Sequence, residues 1–256
     1  MTFEAALSGD NALSFLAILL LGFAPGIFWL WFFYRRDKLE PEPKSLVART
    51  FFWGMVVALP VAIVEVLVAD PLGVLGAGIL DARVLLVVLA APIIEEYGKF
   101  FVVRRTLYDH PEFDEPMDGI VYAAAAALGF ASVENVVYLS TAFFSPGAIV
   151  EGAESASPVS ALLTVFVVRA LLSVPGHALF SSIWGYALGW AKFPGARTVR
   201  GVVLKGLLLA MFLHAVFNGL LVIVPWAAAG MLILVPIMWR MVNRRIADSL
   251  ERSPFK

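Results

Sequence analysis

Seven apolar stretches, each close to bilayer length, constrain this chain more than anything else in it. They run Ala12–Phe33, Thr50–Ala69, Val84–Val103, Gly119–Phe143, Val159–Ala191, Val203–Val224 and Ala227–Trp239. A hydrocarbon core about 30 Å thick takes roughly 20 residues of helix. Backbone groups there find no water, so each run closes its own hydrogen bonds as a helix. The fifth run is overlong, and Pro175 and Gly176 predict a kink in it. The seventh is short unless it continues past Trp239. Of 256 residues 61% are hydrophobic and only 15% charged, against about 25% charged in a soluble domain. The fold class predicted is all-α, a single polytopic membrane bundle over residues 1–256. A soluble globule, a disordered chain and a nucleic-acid binder are excluded. No cysteine is present, which removes disulfides, thiolate zinc sites and cysteine catalysis.

Basic residues set the orientation. Sixteen of the 19 Lys and Arg residues fall in alternate connections: Arg35 to Arg49, Arg104 and Arg105, Lys192 to Lys205, and Arg240 to Lys256. The other connections carry only Arg83. Because cytoplasmic loops collect Lys and Arg, seven crossings with the N-terminus outside and the C-terminus cytoplasmic fit every loop. The first run follows Glu4 and Asp10 rather than a basic segment, so it reads as a retained span and not a signal peptide.

Glu65, Glu95, Glu96, Lys99, Glu134 and Arg169 remain inside the spans, with Asn135, His177, His214 and Asn218. An ionisable group at bilayer depth costs at least about 2.5–3.5 kcal/mol, and such groups face one another or a water-filled cavity and mark function. Glu95 and Lys99, His177 and Ser181, and His214 and Asn218 are each four apart, so each pair shares a helical face. Glu134 and Asn135 are adjacent and point apart, which assigns one of them a structural partner; Glu95 and Glu96 have the same geometry. Counting from the inner ends at about 1.5 Å per residue puts Glu95 and His214 roughly 13 Å deep, and Glu134 and His177 roughly 22 Å. The two histidines are then about 9 Å apart in depth.

This set supports water activation. A buried carboxylate takes a proton from water as general base, and histidines with an asparagine can donate to a tetrahedral oxyanion. Alternatively, histidines and carboxylates hold Zn²⁺ with one position open for water. The offset of about 9 Å favours the metal-free route, while His177, His214 and Glu134 are the metal ligands if zinc is used. Ser173, Ser181 and Ser182 are weaker nucleophile candidates, because small hydroxyl residues commonly pack between membrane helices. Lys99 and Arg169 read as counterions, and Glu65, alone in its span, as a structurally paired or lipid-edge group. His110 lies in an acidic loop and reads as surface.

The chain resembles the PrsW family of intramembrane proteases, within the broader group of CAAX-prenyl endopeptidases and bacterial immunity-type membrane proteases. The resemblance rests on Glu95-Glu96-Tyr-Gly-Lys99, on Asp118-Gly-Ile-Val-Tyr122 leading to Gly129-Phe-Ala-Ser-Val-Glu134-Asn135, and on Arg169 to His177 followed by Gly185-Tyr186. His214-Ala-Val-Phe-Asn218 and the loop string Asp37-Lys-Leu-Glu-Pro-Glu-Pro43 complete it. It implies a multi-pass plasma-membrane protease that cuts membrane-associated proteins, with a single-span anti-sigma factor as the kind of substrate. Under that pattern Glu95 activates water and Glu96 supports it. Glu134, His177, His214 and Asn218 complete the catalytic set, with Lys99, Asn135 and Arg169 behind them. Zn²⁺ and a metal-free mechanism both remain open. Two other classes compete. A proton- or cation-coupled transporter would show paired halves, and the sequence has no such repeat. A non-catalytic scaffold or immunity protein gains nothing from the desolvation cost.

Overall fold

The computed structural model describes residues 11–72, 86–148, 155–193, 199–222 and 225–256. Among the described residues there are eight α-helices and no strand. They are α1 (Asn11–Tyr34), α2 (Lys44–Leu72), α3 (Ala91–Thr106), α4 (Pro116–Phe144), α5 (Pro158–Val168), α6 (Val174–Lys192), α7 (Val199–Val222) and α8 (Met231–Glu251). A π-helical turn, Leu86–Ala90, leads into α3, and another, Arg169–Ser173, joins α5 to α6.

Five helices among the described residues are long and apolar enough to cross a membrane: Ala12–Tyr34, Lys44–Val68, Pro116–Phe144, Pro158–Lys192 and Gly201–Val222. The expected third and seventh spans fall on α3 and α8, whose apolar character is interrupted by Glu95, Glu96 and Lys99 and by the charged residues after Trp239. The start of the expected third span and the end of the expected sixth, Val84 and Val224, lie outside the described residues.

Helix α4 is the hub. It is apolar nearly all round, as a helix enclosed by others must be, and Ile120 to Ala127 are wholly or almost wholly buried. It packs against α1, α2 and α6. Small residues let the backbones meet: a Cβ at Gly129 would strike the Phe51 carbonyl of α2, and one at Gly119 the Gly185 carbonyl of α6. The outer surfaces of α1, α2 and α7 carry exposed Leu, Ile, Phe and Trp side chains, as a lipid-facing wall requires.

The irregularity expected at Pro175 and Gly176 sits one turn earlier, in the π turn. Val174 donates its N–H to Arg169 O, and the next carbonyl, Ala170 O, would by the same i to i+5 spacing need the N–H of residue 175. Pro175 has none. The Trp29 indole of α1 donates to that carbonyl instead, at 3.1 Å. The break is thus satisfied by a neighbouring helix, and it swings Arg169 and Ser173 toward the interior, where both are buried.

Candidate active site

Helix α3 starts with Pro92 in its first turn and ends on Arg104 and Arg105, which suit the two ends of the helix dipole. On it Lys99 follows Glu96 by three residues and Glu95 by four, so one ammonium reaches both carboxylates. Its Nζ lies 3.0 Å from Glu95 Oε2 and 2.9 Å from Glu96 Oε1. A third contact, 2.9 Å to His177 Nδ1, ties α3 to α6. Lys99 has no solvent exposure, and its ammonium also stands over the Phe130 ring at 4.3 Å.

The adjacent glutamates point to different places, as their spacing predicts. Glu96 is fully buried and saturated. Besides Lys99 it accepts from Ser181 Oγ at 2.8 Å and Trp184 Nε1 at 2.9 Å, and it faces His214 Nδ1 at 3.2 Å. Glu95 has no such set of donors and opens onto a cavity of about 510 Å³. Ser182 gives its hydroxyl to Ala178 O, so two of the three serines have partners unrelated to nucleophilic attack. Ser173 lines the cavity.

Glu134 and Asn135 on α4 also divide. Glu134 lines the cavity, 2.9 Å from His177 Nε2 and 3.1 Å from Arg169 Nη2. Asn135 turns away, accepting from Arg169 Nε at 2.5 Å and donating to Gly22 O of α1 at 3.3 Å. Arg169 therefore bridges both residues, with its guanidinium 4.1 Å from the Tyr138 ring centre.

The histidines come together. Their ring centres are 5.1 Å apart, and His214 stacks on Phe180 at 4.4 Å. The depth offset of about 9 Å expected from helix rise is thus corrected. Depth counted along each axis ignores tilt and the π turn ahead of His177, and both bring the rings level. Because an ammonium faces His177 Nδ1, that nitrogen is the acceptor and Nε2–H donates to Glu134. For His214 the carboxylate faces Nδ1, so Nδ1–H donates to Glu96. Asn218, one turn after His214, also lines the cavity and donates to Val87 O at 2.9 Å, closing α7 onto the π turn before α3.

Three members of this region carry no functional expectation from the sequence. Glu65, expected as a structurally paired or lipid-edge group, lines the same cavity, and its buried Oε1 has no hydrogen-bond partner. Its only signal is a carboxylate in an apolar span. Trp184 falls at i+7 from His177 and i+3 from Ser181, so helical spacing could have found it. Tyr138, four residues after Glu134, has the same signal. His110 is half-buried and accepts the Glu112 N–H within its own loop.

The donor set also bears on a metal. Glu95, His177 and His214 each present a ligand atom, all within 4.8 Å of one another, and all three residues are buried. Two imidazoles and a carboxylate are the ligand types of a catalytic zinc site. His214 faces Glu96 with Nδ1 and turns Nε2 away from it, and a carboxylate behind the ring is the usual support for a ligating histidine. The residues are of the type that holds Zn²⁺, and a zinc bound through His177 Nδ1 would take the lone pair that Lys99 now occupies. Glu134, named with the histidines from the sequence, stands beside His177 on the same cavity wall.

Comparison with known sequences matches residues 42–241 to the profile of the "PrsW family intramembrane metalloprotease". Curated relatives carry the name Protease PrsW. The protein of Geobacillus kaustophilus is 38% identical over 205 residues, 80% of each chain. That of Bacillus subtilis is 34% identical over 206 residues, 80% of this chain and 83% of its own. That of Clostridioides difficile is 28% identical over 245 residues, 93% of this chain and 91% of its own. No solved structure gives a significant match.

Proposed function

We propose, because this chain belongs to the PrsW family of intramembrane proteases, that it hydrolyses a peptide bond of a single-span membrane protein, an anti-sigma factor being the substrate type. The observation that carries this reading is the meeting of Glu95, Glu134, His177 and His214 on one cavity. Transmembrane residues of such cost have no reason to converge unless the cavity does chemistry. In this scheme the N-terminus is outside, the C-terminus is cytoplasmic, and the chain crosses seven times.

The chemistry divides among the residues as follows. A locally extended substrate segment enters between the apolar walls, which exclude bulk water and strengthen every polar contact inside. Glu95 holds the attacking water and takes its proton, since it alone of the α3 glutamates faces the cavity with acceptor capacity to spare. Lys99 keeps Glu95 and Glu96 paired and fixes the His177 tautomer, so that Nε2–H is aimed at Glu134. Glu96 holds His214 by Nδ1 and does not itself meet substrate. Arg169 orients Glu134, and Asn135 orients Arg169.

Zn²⁺ would be held by Glu95, His177 and His214, and when bound it would acidify water and polarise the scissile carbonyl. With those three residues engaged, Glu134 and Glu65 are the remaining cavity carboxylates able to receive the proton. Without a metal, oxyanion stabilisation falls to Asn218 and to a His214 protonated on both nitrogens.

The deciding experiment is proteolysis of candidate single-span membrane proteins by the purified protein, with Glu95→Gln as the control. Cleavage by the wild type and its loss in the variant support the proposal. Equal cleavage by both, or none by the wild type on any membrane-spanning substrate, would sink it.

A further inference from the structure

A second group of buried acids lies far from the cavity, at the end of the bundle where the basic-rich loops gather. Asp37 and Glu42 come from the loop between α1 and α2, Glu115 precedes α4, and Asp118 is in its first turn. All four are at most 3% exposed. Asp37, Glu115 and Asp118 bring ligand oxygens within 4.8 Å of one another, and the Glu42 carboxyl lies against that of Asp118. Asp118 is 16 residues before Glu134 on the same helix, so the two sites are about 24 Å apart along its axis.

From this geometry we infer that Asp37, Glu42, Glu115 and Asp118 form a binding site for an oxygen-seeking divalent cation, Ca²⁺ or Mg²⁺ in class. The first reason is orientation. The Asp114 and Glu115 N–H groups, each at 2.7 Å, hold Oδ2 of Asp118, and the Tyr122 hydroxyl holds Oε2 of Glu42. These donors suit ionised carboxylates and leave one oxygen of each turned inward. Asp118 Oδ1 and Glu42 Oε1, and both oxygens of Asp37, are buried with no hydrogen-bond donor from outside the acid group.

The second reason is charge. Among the described residues no Lys or Arg nitrogen forms an ion pair with any of the four. Lys192, the nearby cation, spends its ammonium on the carbonyls of Tyr108 and His110. Carboxylates collected without a counter-charge are costly to bury. A divalent cation removes that penalty in one step. An all-carboxylate set with no imidazole or thiolate selects hard ions over zinc.

The consequence is mechanical. A cation here staples the Asp37 to Pro43 loop to the start of α4, and α4 carries Glu134 and Asn135 further along its length. This gives a chemical role to the Asp37-Lys-Leu-Glu-Pro-Glu-Pro43 string and to Asp118 and Tyr122, which the protease chemistry leaves unused. The inference does not depend on the proposed proteolysis.

The test uses the full-length protein in detergent, stripped with chelator, and titrated calorimetrically with Ca²⁺ and Mg²⁺ and by electron spin resonance with Mn²⁺. A His177→Ala/His214→Ala background keeps the cavity out of the measurement. We expect one saturable site that persists in this background, disappears in Asp37→Asn and in Glu42→Gln, and raises the unfolding midpoint with cation concentration by mass action. Absence of saturable binding of all three ions at millimolar concentration would overturn the inference, since wild type needs no variant to fold. Binding that survives combined Asp37→Asn and Asp118→Asn would overturn it equally.

Discussion

Lys99 Nζ stands 2.9 Å from His177 Nδ1, an ammonium against an imidazole at the centre of the bundle. Such a contact is stable only because Glu95 and Glu96 hold the same ammonium from the other side. The lysine thus does two things: it neutralises the glutamate pair, and it decides which nitrogen of His177 carries the proton. Sequence spacing predicts the first role and not the second, because it says nothing about what faces α3 from α6.

Replacing Lys99 tests this arrangement. Lys99→Met leaves two buried carboxylates without their cation and is expected to cost about 3–5 kcal/mol of stability, the usual penalty for breaking a buried pair from one side. Lys99→Arg is not expected to rescue function, since a planar fork cannot take three convergent partners as a point charge does. Thermal unfolding in detergent together with cleavage rate checks both, and a fully active, stable Lys99→Met would refute this double role of the lysine.

Glu95 and Glu96 should separate cleanly. Glu95→Gln is expected to cut cleavage on the order of 10²–10⁴-fold, the range of general acid–base catalysis, with little change in unfolding midpoint. In Glu96→Gln an amide NH₂ meets donors from Lys99, Ser181, Trp184 and His214, so stability should fall by about 1–3 kcal/mol, and activity with it. If both variants show the same loss of activity at unchanged stability, the division between a reacting and a positioning glutamate is wrong.

Much of this was legible because membrane burial makes polar residues conspicuous. Glu95 with Lys99, His177 with Ser181 and His214 with Asn218 could be paired by helical spacing alone, and the adjacency of Glu134 and Asn135 implied that they point apart, although Arg169 reaches both. Relative depth was not legible. The 5.1 Å between the histidine rings depends on tilt and on a π turn whose cause, Pro175, is in the sequence but whose position is not. Glu65 was missed for a related reason: a lone carboxylate in a span has no spacing partner on its own helix, and only the packing of α2 beside α4 brings it to the cavity. The acid cluster around Asp37 escaped because its members are dispersed over loops, where charge is ordinarily solvated.

Trp29 offers a purely structural test. Its indole is the donor for the Ala170 carbonyl that Pro175 leaves without its i+5 N–H partner. Trp29→Phe keeps an aromatic ring and removes only the donor, so the partly buried carbonyl is left unsatisfied at a cost of about 1 kcal/mol. Pro175→Ala in the same background should recover part of that loss by restoring a backbone N–H. A double-mutant cycle on unfolding free energy measures the coupling, and strict additivity would show that the indole and the proline are unrelated.

Metal removal separates the two routes to peptide hydrolysis. If zinc is held by Glu95, His177 and His214, exhaustive chelation abolishes cleavage, and stoichiometric Zn²⁺ restores it where Ca²⁺ and Mg²⁺ do not. The selectivity matters because the acid cluster also loses any cation to chelator, and restoration by Ca²⁺ alone would assign the effect to that cluster. His177→Ala and His214→Ala are each expected to lose bound zinc, measurable by elemental analysis without reference to activity. Asn218→Ala is the complementary probe. As an oxyanion donor it should cost on the order of 10²–10³-fold in rate. As a clasp on Val87 O it should cost mainly stability, because the contact at 2.9 Å joins α7 to the turn that starts α3. Full activity after chelation, with a loss on the order of 10²–10³-fold in Asn218→Ala, would establish the metal-free route and require His214 to act as an imidazolium donor.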